Sequence, residues 1–314
     1  MNIAYIRPLS QAWTRMKKAL FEPFDIGKWF IVGFTAFLAG LTECPGTGNG
    51  NTNPGRRGRL DLDDIVNFPH YAWEWLMDHP GWFTLIIVVL LLFFLFIVLL
   101  TWLSSRGKFM FLDNVVHDRA QVSLPWNEFK SLGNSLFIWR FFFGLICLVL
   151  VLLFLLSCYF IFVYLYEIDA RFPTTILAII GMVLSGLALM IVTGYISLFL
   201  NEFVIPIMYR DRIKTNAAWG KFLPLFSKHF LYFILYGLFI FVLTFVIIIC
   251  VIILGFLTCC IGFLFLIIPY ISAVVTLPIS YTMRAFSLEF LEQFGPEYRI
   301  FPGIPDVSGT EAVD

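Results

Sequence analysis

Long apolar stretches constrain this chain more than anything else in it. They read as membrane spans at about 26–42, 82–103, 136–166, 174–200, 230–255 and 261–283. About 20 apolar residues wound as a helix cross a hydrocarbon core, each adding about 1.5 Å. A helix also satisfies its own backbone polar groups where no water can do so. The chain therefore reads as all-α, a polytopic membrane protein with six transmembrane helices. The first stretch, about 17 residues, is at the short end of the usual range. The alternative there is a segment that only dips into the bilayer. Composition agrees with this class. The chain is 60% hydrophobic and 13% charged, about half the charged share of a soluble domain.

Orientation follows from the basic residues. Lys and Arg in short loops resist translocation, so the side rich in them is cytoplasmic. Of the 21 basic residues, 17 fall on the side holding the N-terminus, the 104–135 and 201–229 loops and the C-terminus. The other side keeps Arg56, Arg57, Arg59 and Arg171. A single integral membrane domain is expected over 1–302, followed by a polar tail over 303–314. The first 25 residues carry no cleavage pattern of a secretory signal, so the first span reads as retained and targeting. A formal net charge of zero gives no indication of nucleic acid. No Asn-x-Ser/Thr sequon occurs, which fits a bacterial cytoplasmic membrane. Cys44, Cys259 and Cys260 are placed near the outer face, where a disulfide and free thiols both stay open as readings.

A local pattern recurs along the chain. Residues 10–24 read as an amphipathic helix lying on the inner face, with Ser10 as N-cap and a stripe of Trp13, Met16, Leu20 and Phe24. Arg15, Lys17 and Lys18 fall between them, as suits lipid phosphates. Trp126, Phe129 and Phe137 precede the third span with the spacing of Trp13, Met16 and Phe24; Trp219, Phe222 and Phe230 precede the fifth. At a fixed offset of 93 residues, Asp118-Arg119 pairs with Asp211-Arg212, Trp126 with Trp219, Leu132 with Leu225 and Gly144-Leu145 with Gly237-Leu238. This predicts three parallel two-helix repeats, each preceded by an interfacial amphipathic helix, with Trp13, Trp126 and Trp219 as interfacial anchors. The outer loop 43–81 opens with a Gly/Asn/Pro-rich stretch. It then brings Phe68, Tyr71, Trp73, Trp75, Trp82 and Phe83, aromatics of the kind that gather at headgroups.

The chemistry offered by these residues is sparse. Ionisable side chains at mid-membrane mark functional sites by default, and the spans carry essentially none. No nucleophile elbow, phosphate loop or paired catalytic carboxylates appear. His70, His79, His117 and His229 lack ligand spacing, and Asp61, Asp63 and Asp64 lack the remainder of a calcium loop. No catalytic residue, metal or cofactor is expected. The polar residues nearest the hydrocarbon lie at the inner ends of the returning spans: Arg106, Lys108 and Asp113, then Asn201, Glu202, Asp211 and Arg212, then Arg284, Glu289 and Glu292. From these a candidate inner-face polar site is drawn: Arg106, Asp113, Asn201, Glu202, Arg212, Arg284 and Glu289. It reads either as a vestibule where three units meet or as interfacial residues paired with each other or with lipid phosphates. Pro206, just beyond Glu202, is expected to break the helix.

The stretches Ser105-Arg106-Gly107-Lys108-Phe109-Met110-Phe111-Leu112-Asp113, Asn201-Glu202-Phe203-Val204-Ile205-Pro206 and Phe290-Leu291-Glu292-Gln293-Phe294-Gly295-Pro296-Glu297-Tyr298 carry a resemblance. Together they resemble uncharacterised bacterial six-span proteins, similar in layout to the membrane domain attached to some glycerophosphoryl diester phosphodiesterases. The resemblance implies an architecture and no catalytic residue, because in those enzymes the chemistry sits in a separate barrel.

The function expected from sequence is a non-enzymatic membrane accessory or scaffold protein. Its partners would be membrane lipid, and a protein partner through the outer aromatic loop or the inner-face helices. The alternative is a transporter or channel for a lipid-like or hydrophobic solute. The topology is checked by cysteine labelling. Single-cysteine variants in 104–135 and 201–229 should resist an impermeant thiol reagent in intact cells, while sites within 46–60 should label. Labelling of both basic loops from outside would overturn the orientation.

Overall fold

The computed structural model of the protein describes residues 3–42, 71, 73–168, 172–258 and 261–301. Their regular structure is helical, with no strand among the described residues. In chain order the helices are α1 Ile6–Phe21, α2 Ile26–Gly40, α3 Pro80–His117, α4 Ser123–Glu128, α5 Lys130–Glu167 and α6 Phe172–Phe199. A π-helical turn, Leu200–Val204, leads into α7 Ile205–Asp211. Then come α8 Thr215–Lys228, α9 Phe230–Leu257, α10 Ile261–Ile267, α11 Pro269–Val275 and α12 Leu277–Glu292. The outer stretch Cys44–Gly58, the acidic trio Asp61, Asp63 and Asp64, Phe68, Cys259, Cys260 and the tail 303–314 lie outside the described residues.

Local chemistry sets several of these boundaries. The Asp25 carboxylate accepts the Gly27 N–H at 2.8 Å and so caps the first turn of α2. Both α3 and α7 stop at a residue in the left-handed region, Asp118 (φ 51) and Arg212 (φ 55). That conformation costs an L-residue about 1–2 kcal/mol, and each side chain is engaged. Lys28 Nζ donates to Asp118 at 2.9 Å. Arg212 donates to Glu128 at 2.6 Å while its guanidinium lies 4.3 Å over the Phe129 ring.

The chain divides into two compact units, the first comprising Met1–Thr42, Trp102–Arg140 and Val192–Asp314. Helix α1 packs on α12 through a buried face of Pro8, Ala12, Met16, Ala19 and Leu20. Of the sequence stripe, Met16 and Leu20 are buried in protein, whereas Trp13 and Phe24 are exposed. The small residues Pro8, Ala12 and Ala19 explain the rotation, since they let α12 approach more closely than a row of aromatics would. The helix also starts at Ile6, so Ser10 is its second turn and not its cap. Tyr5, just before it, donates to the Tyr232 carbonyl at 3.1 Å. Burial pushes the Tyr5 hydroxyl above the ordinary tyrosine value, which keeps it a donor.

An aromatic cluster forms the centre of this unit. Phe203 is fully buried and meets the rings of Phe222, Phe233, Tyr236 and Phe290 at centroid distances of 5.5, 5.0, 4.9 and 6.0 Å. Such ring pairs contribute about 0.5–1.5 kcal/mol each beyond area burial. Away from it, α2 and α3 touch backbone to backbone at Gly107. A Cβ there would lie 2.6 Å from the Leu38 carbonyl carbon and 2.7 Å from the Ala39 nitrogen.

The second unit comprises Glu43–Thr101 and Phe141–Ile191. Within it α5 meets α6 where small residues leave room: Ala178, Gly181 and Ser185 lie opposite Phe154, Ser157 and Cys158. A Cβ on Gly186 would be 3.0 Å from the Phe154 ring. Most other apolar side chains of this unit point outward, Leu90 and Phe93 being 60% exposed. Water-soluble domains rarely expose contiguous apolar surface of this extent.

Four helices are long and apolar enough to cross a membrane: Pro80–His117, Lys130–Glu167, Pro173–Asp211 and Phe230–Leu257. Counting α11 with α12 as one span, bent by 63°, makes five. The structure thus supports an all-helical, membrane-compatible chain and leaves two of the six expected spans unconfirmed. The first, α2, has 15 residues, about 22 Å at 1.5 Å per residue. The last, expected over 261–283, is interrupted at Ile268 and Thr276. Pro269 and Pro278 lie in the first turns of α11 and α12, where a proline's missing N–H is tolerated although it could not continue the preceding helix.

A threefold repeat is not shown. The helix break after α4 falls at Phe129, and the residue 93 positions on, Phe222, is inside α8. The break after α8 falls at His229, and its counterpart Leu136 is inside α5. Trp126 and Trp219 are both half-buried in different settings. Trp126 meets Trp102 edge-on at 5.9 Å, while Trp219 stacks on Trp139 at 5.5 Å. What the segments share is a left-handed stop, then a short helix, then a long apolar one.

The Gly107 contact yields a stability test. Gly107→Ala should lower the thermal unfolding midpoint in detergent, at a cost of about 1–3 kcal/mol for forced overpacking. Gly144→Ala, where an added Cβ meets nothing within 4 Å, should leave the midpoint in place or raise it. Equal behaviour of the two variants would contradict the close approach of α2 and α3.

Candidate functional site

Pro206 sets the arrangement of the polar groups near the π turn. It has no N–H, and its ring conflicts with a helical carbonyl one turn back. The chain bypasses that conflict without breaking. The Ile205 N–H reaches back five residues to the Leu200 carbonyl, which defines the π turn. The next carbonyl in that register, Asn201, would need its donor from residue 206 and finds proline there. Arg284 of α12 supplies the donor instead, Nη1 to the Asn201 oxygen at 2.7 Å. The Asn201 side chain is held as well, accepting from Lys108 Nζ of α3 at 2.8 Å. Lys108 is 1% exposed.

Glu202 is the acidic residue of the same turn. Tyr236 of α9 is fully buried and within electrostatic reach of both Glu202 and Arg284. The Tyr236 hydroxyl and Arg284 Nε are buried with no hydrogen-bond partner among the described residues. Unsatisfied buried polar atoms cost about 1–3 kcal/mol each and call for an explanation in any native fold. Asn201, Glu202 and Arg284 therefore form one polar group with Lys108 and Tyr236. Two cations and one carboxylate are gathered beside the aromatic core.

The remaining sequence-derived candidates lie in separate settings. Asp113 is 1% exposed and chelated by Arg119, with Nε to Oδ2 at 3.0 Å and Nη2 to Oδ1 and Oδ2 at 2.8 and 2.7 Å. Tyr209 donates to its Oδ1 at 2.8 Å, and His117 Nδ1 lies 3.2 Å from the same oxygen. Arg106 lies over the rings of Trp102 and Trp126, at 4.5 and 4.8 Å, and donates to Asn134 at 3.1 Å. Arg212 is paired with Glu128 and Glu289 with Arg15. The seven candidates do not converge on one vestibule. Asp113, Arg212 and Glu289 are each held by a local charged partner.

Sequence reading left Arg119, Tyr209 and Tyr236 out of the site. The signal for Arg119 was present in the Asp118-Arg119 pair, read there as a repeat marker. Nothing local marks Tyr236, which resembles any aromatic of an apolar helix until Glu202 and Arg284 are packed on it. Among the described residues no cluster of His, Cys, Asp and Glu could hold a metal ion.

The proline argument can be tested with two substitutions. Arg284→Gln removes a charge-assisted bond, a class that contributes about 1.5–3 kcal/mol, and should lower stability in detergent. Adding Pro206→Ala restores a main-chain donor within reach of the Asn201 carbonyl and should recover part of that loss. Strict additivity in the double-mutant cycle would show the two residues to be independent.

A family model described as a family of unknown function (DUF7544) matches residues 4–278. No curated protein and no solved structure matches the chain. The match supports the uncharacterised family expected from the motifs, and no link to glycerophosphoryl diester phosphodiesterases is shown.

Proposed function

The chain belongs to the DUF7544 family, whose function is unknown, so no activity comes to it by inheritance and we propose one from its own residues. In this reading it is a non-enzymatic, membrane-embedded accessory or scaffold protein that binds membrane lipid, or a protein partner, through the helices on its basic side. It resides in a bacterial cytoplasmic membrane with both termini inside. Helix α2 and the interrupted series α10–α12 are its first and last membrane elements. The similarity in layout to the membrane domain of glycerophosphoryl diester phosphodiesterases rests on sequence motifs alone.

The observation that carries this reading is the closed aromatic centre of the first unit. A solute path needs a continuous cavity lined by small and polar residues. What occupies that position is ring against ring, with Phe203, Phe222, Phe233, Tyr236 and Phe290 all fully buried. The cations beside it are pinned by Asn201, Arg284 to its carbonyl and Lys108 to its side chain, as suits a rigid body. Exposed aromatics at Tyr71, Trp73, Trp75 and Trp82 are the second surface for a partner or for headgroups.

Reconstitution tests the choice between scaffold and conduit. Purified protein in phosphatidylcholine vesicles should move a fluorescent short-chain lipid or hydrophobic dye no faster than protein-free vesicles do. Native mass spectrometry should show the detergent-purified protein retaining phospholipid. Protein-dependent flux that Glu202→Gln abolishes would displace the scaffold reading in favour of a transporter.

A further inference from the structure

A cleft of about 590 Å³ lies between α1, the end of α3 and α12, apart from the polar group at the π turn. Its volume is within the usual range for small-molecule sites, about 300–1,000 Å³. Helix α1 supplies Ser10, Gln11, Thr14, Arg15 and Lys18; the facing walls are Val115, Val116, Asp118, Tyr281, Glu289 and Phe301.

Helical geometry explains why these α1 residues share a wall. At 100° per residue α1 has three sectors. One carries the buried Pro8, Ala12, Met16, Ala19 and Leu20. A second carries the exposed Ile6, Trp13 and Phe21, with Lys17 5.6 Å over the Trp13 ring. The third carries Gln11, Thr14, Arg15 and Lys18, and it is this polar sector that faces the cleft. A helix that met only protein and water would not need the apolar exposed sector. Three sectors suit a helix at the boundary of protein, lipid and water.

The charges in the cleft do not balance. Glu289 is held by Arg15, and Asp118 by Lys28 at 2.9 Å. Lys28 is further fixed by the Ala19 carbonyl at 2.6 Å. Both carboxylates are thus neutralised, and Lys18 adds a positive charge with no hydrogen-bond or ion-pair partner among the described residues. Arg15 is oriented rather than consumed: only Nε meets Glu289, and its guanidinium lies 4.0 Å over the Phe301 ring. The hydroxyls of Thr14 and Tyr281 are already used as donors within the protein. Thr14 donates to the Ser10 carbonyl, and Tyr281 donates to the Val115 carbonyl. The polar hydrogens left facing the opening belong to Lys18, the Arg15 Nη atoms, Ser10 and Gln11.

We propose that this cleft binds a phosphate group, presented either by an anionic phospholipid headgroup or by a soluble phosphate compound. A planar guanidinium, an ammonium and neutral donors converging from one helix suit an anion with several oxygens. The proposal rests on the membrane-bound reading above and deepens it by naming what the α1 face binds. Because Lys18 is exposed and unpaired, the binding determinant can be changed without dismantling the fold.

The test uses the full-length protein in two forms. In detergent, thermal unfolding is followed with inorganic phosphate against sodium chloride at matched ionic strength. In nanodiscs, phosphatidylcholine alone is compared with phosphatidylcholine containing phosphatidic acid. At least one comparison should raise the unfolding midpoint, and Lys18→Glu should weaken the apparent affinity at least about tenfold. Its ligand-free midpoint should match the parent protein; if it does not, Lys18→Gln takes its place in the same comparison. A shift with inorganic phosphate assigns a soluble ligand, and a shift with phosphatidic acid alone assigns a headgroup. Absence of any shift, or equal shifts in the parent and both Lys18 variants, overturns the site. In that case lipid retention and absence of flux would still leave the scaffold reading standing.

Discussion

The buried carboxylate of Asp113 is the interaction on which the arrangement of the first unit turns. It is near the end of α3, and its chelating partner Arg119 lies just beyond the left-handed residue that stops that helix. The pair therefore closes the chain reversal itself. Tyr209 adds a third donor from α7, so the same oxygens also fix a second returning helix. An ionised carboxylate this deep would be intolerable alone. Breaking such a buried pair costs about 3–5 kcal/mol, although making one contributes little net stability. Its value is in specifying one geometry, because any other placement of α3 against α7 leaves Asp113 without its Tyr209 donor.

The π turn works in the opposite sense, starting from a deficit. Pro206 removes a donor, the Asn201 carbonyl is left open, and α12 is drawn in through Arg284. Lys108 then joins from α3 by way of the Asn201 side chain. One proline thereby gathers three helices around a polar group beside Phe203, and the aromatic rings pack against what has been fixed. Glu202 and Tyr236 follow from that placement.

The sequence disclosed the elements that depend on local pattern. The four long apolar helices are legible as runs of Leu, Ile, Val and Phe. Two kinds of information were missing. Span continuity over 261–283 was misjudged because apolarity outweighed Pro269 and Pro278, whose steric effect belongs to the backbone. The single vestibule was not realised because one-dimensional order cannot say that Asp113 turns to Arg119 while Asn201 turns to Lys108 and Arg284. The protein-facing side of α1 was not legible for a related reason: the reading picked out its large apolar residues, and the face packed on α12 also uses Pro8, Ala12 and Ala19. The 93-residue offset reflects a shared order of stop, short helix and apolar helix, with breaks at unlike places.

The shortness of α2 has a consequence for the lipid around it. A helix of about 22 Å falls about 8 Å short of a hydrocarbon core about 30 Å thick, while α3, with 38 residues, exceeds it. Helix α2 also keeps company with the seven-residue α11, with Gly33 against Val274 and the Tyr270 hydroxyl on the Phe30 carbonyl. Two short elements thus stand together on one side of the first unit. On the proposed membrane placement, that makes hydrophobic mismatch an asymmetry of the molecule. With α2 and α11 placed in the bilayer as proposed, lipid beside them would have to thin, or water and headgroups descend to meet them, at a cost of fractions of a kcal/mol for each ångström. The protein would deform its bilayer on one flank and favour thinner membrane there.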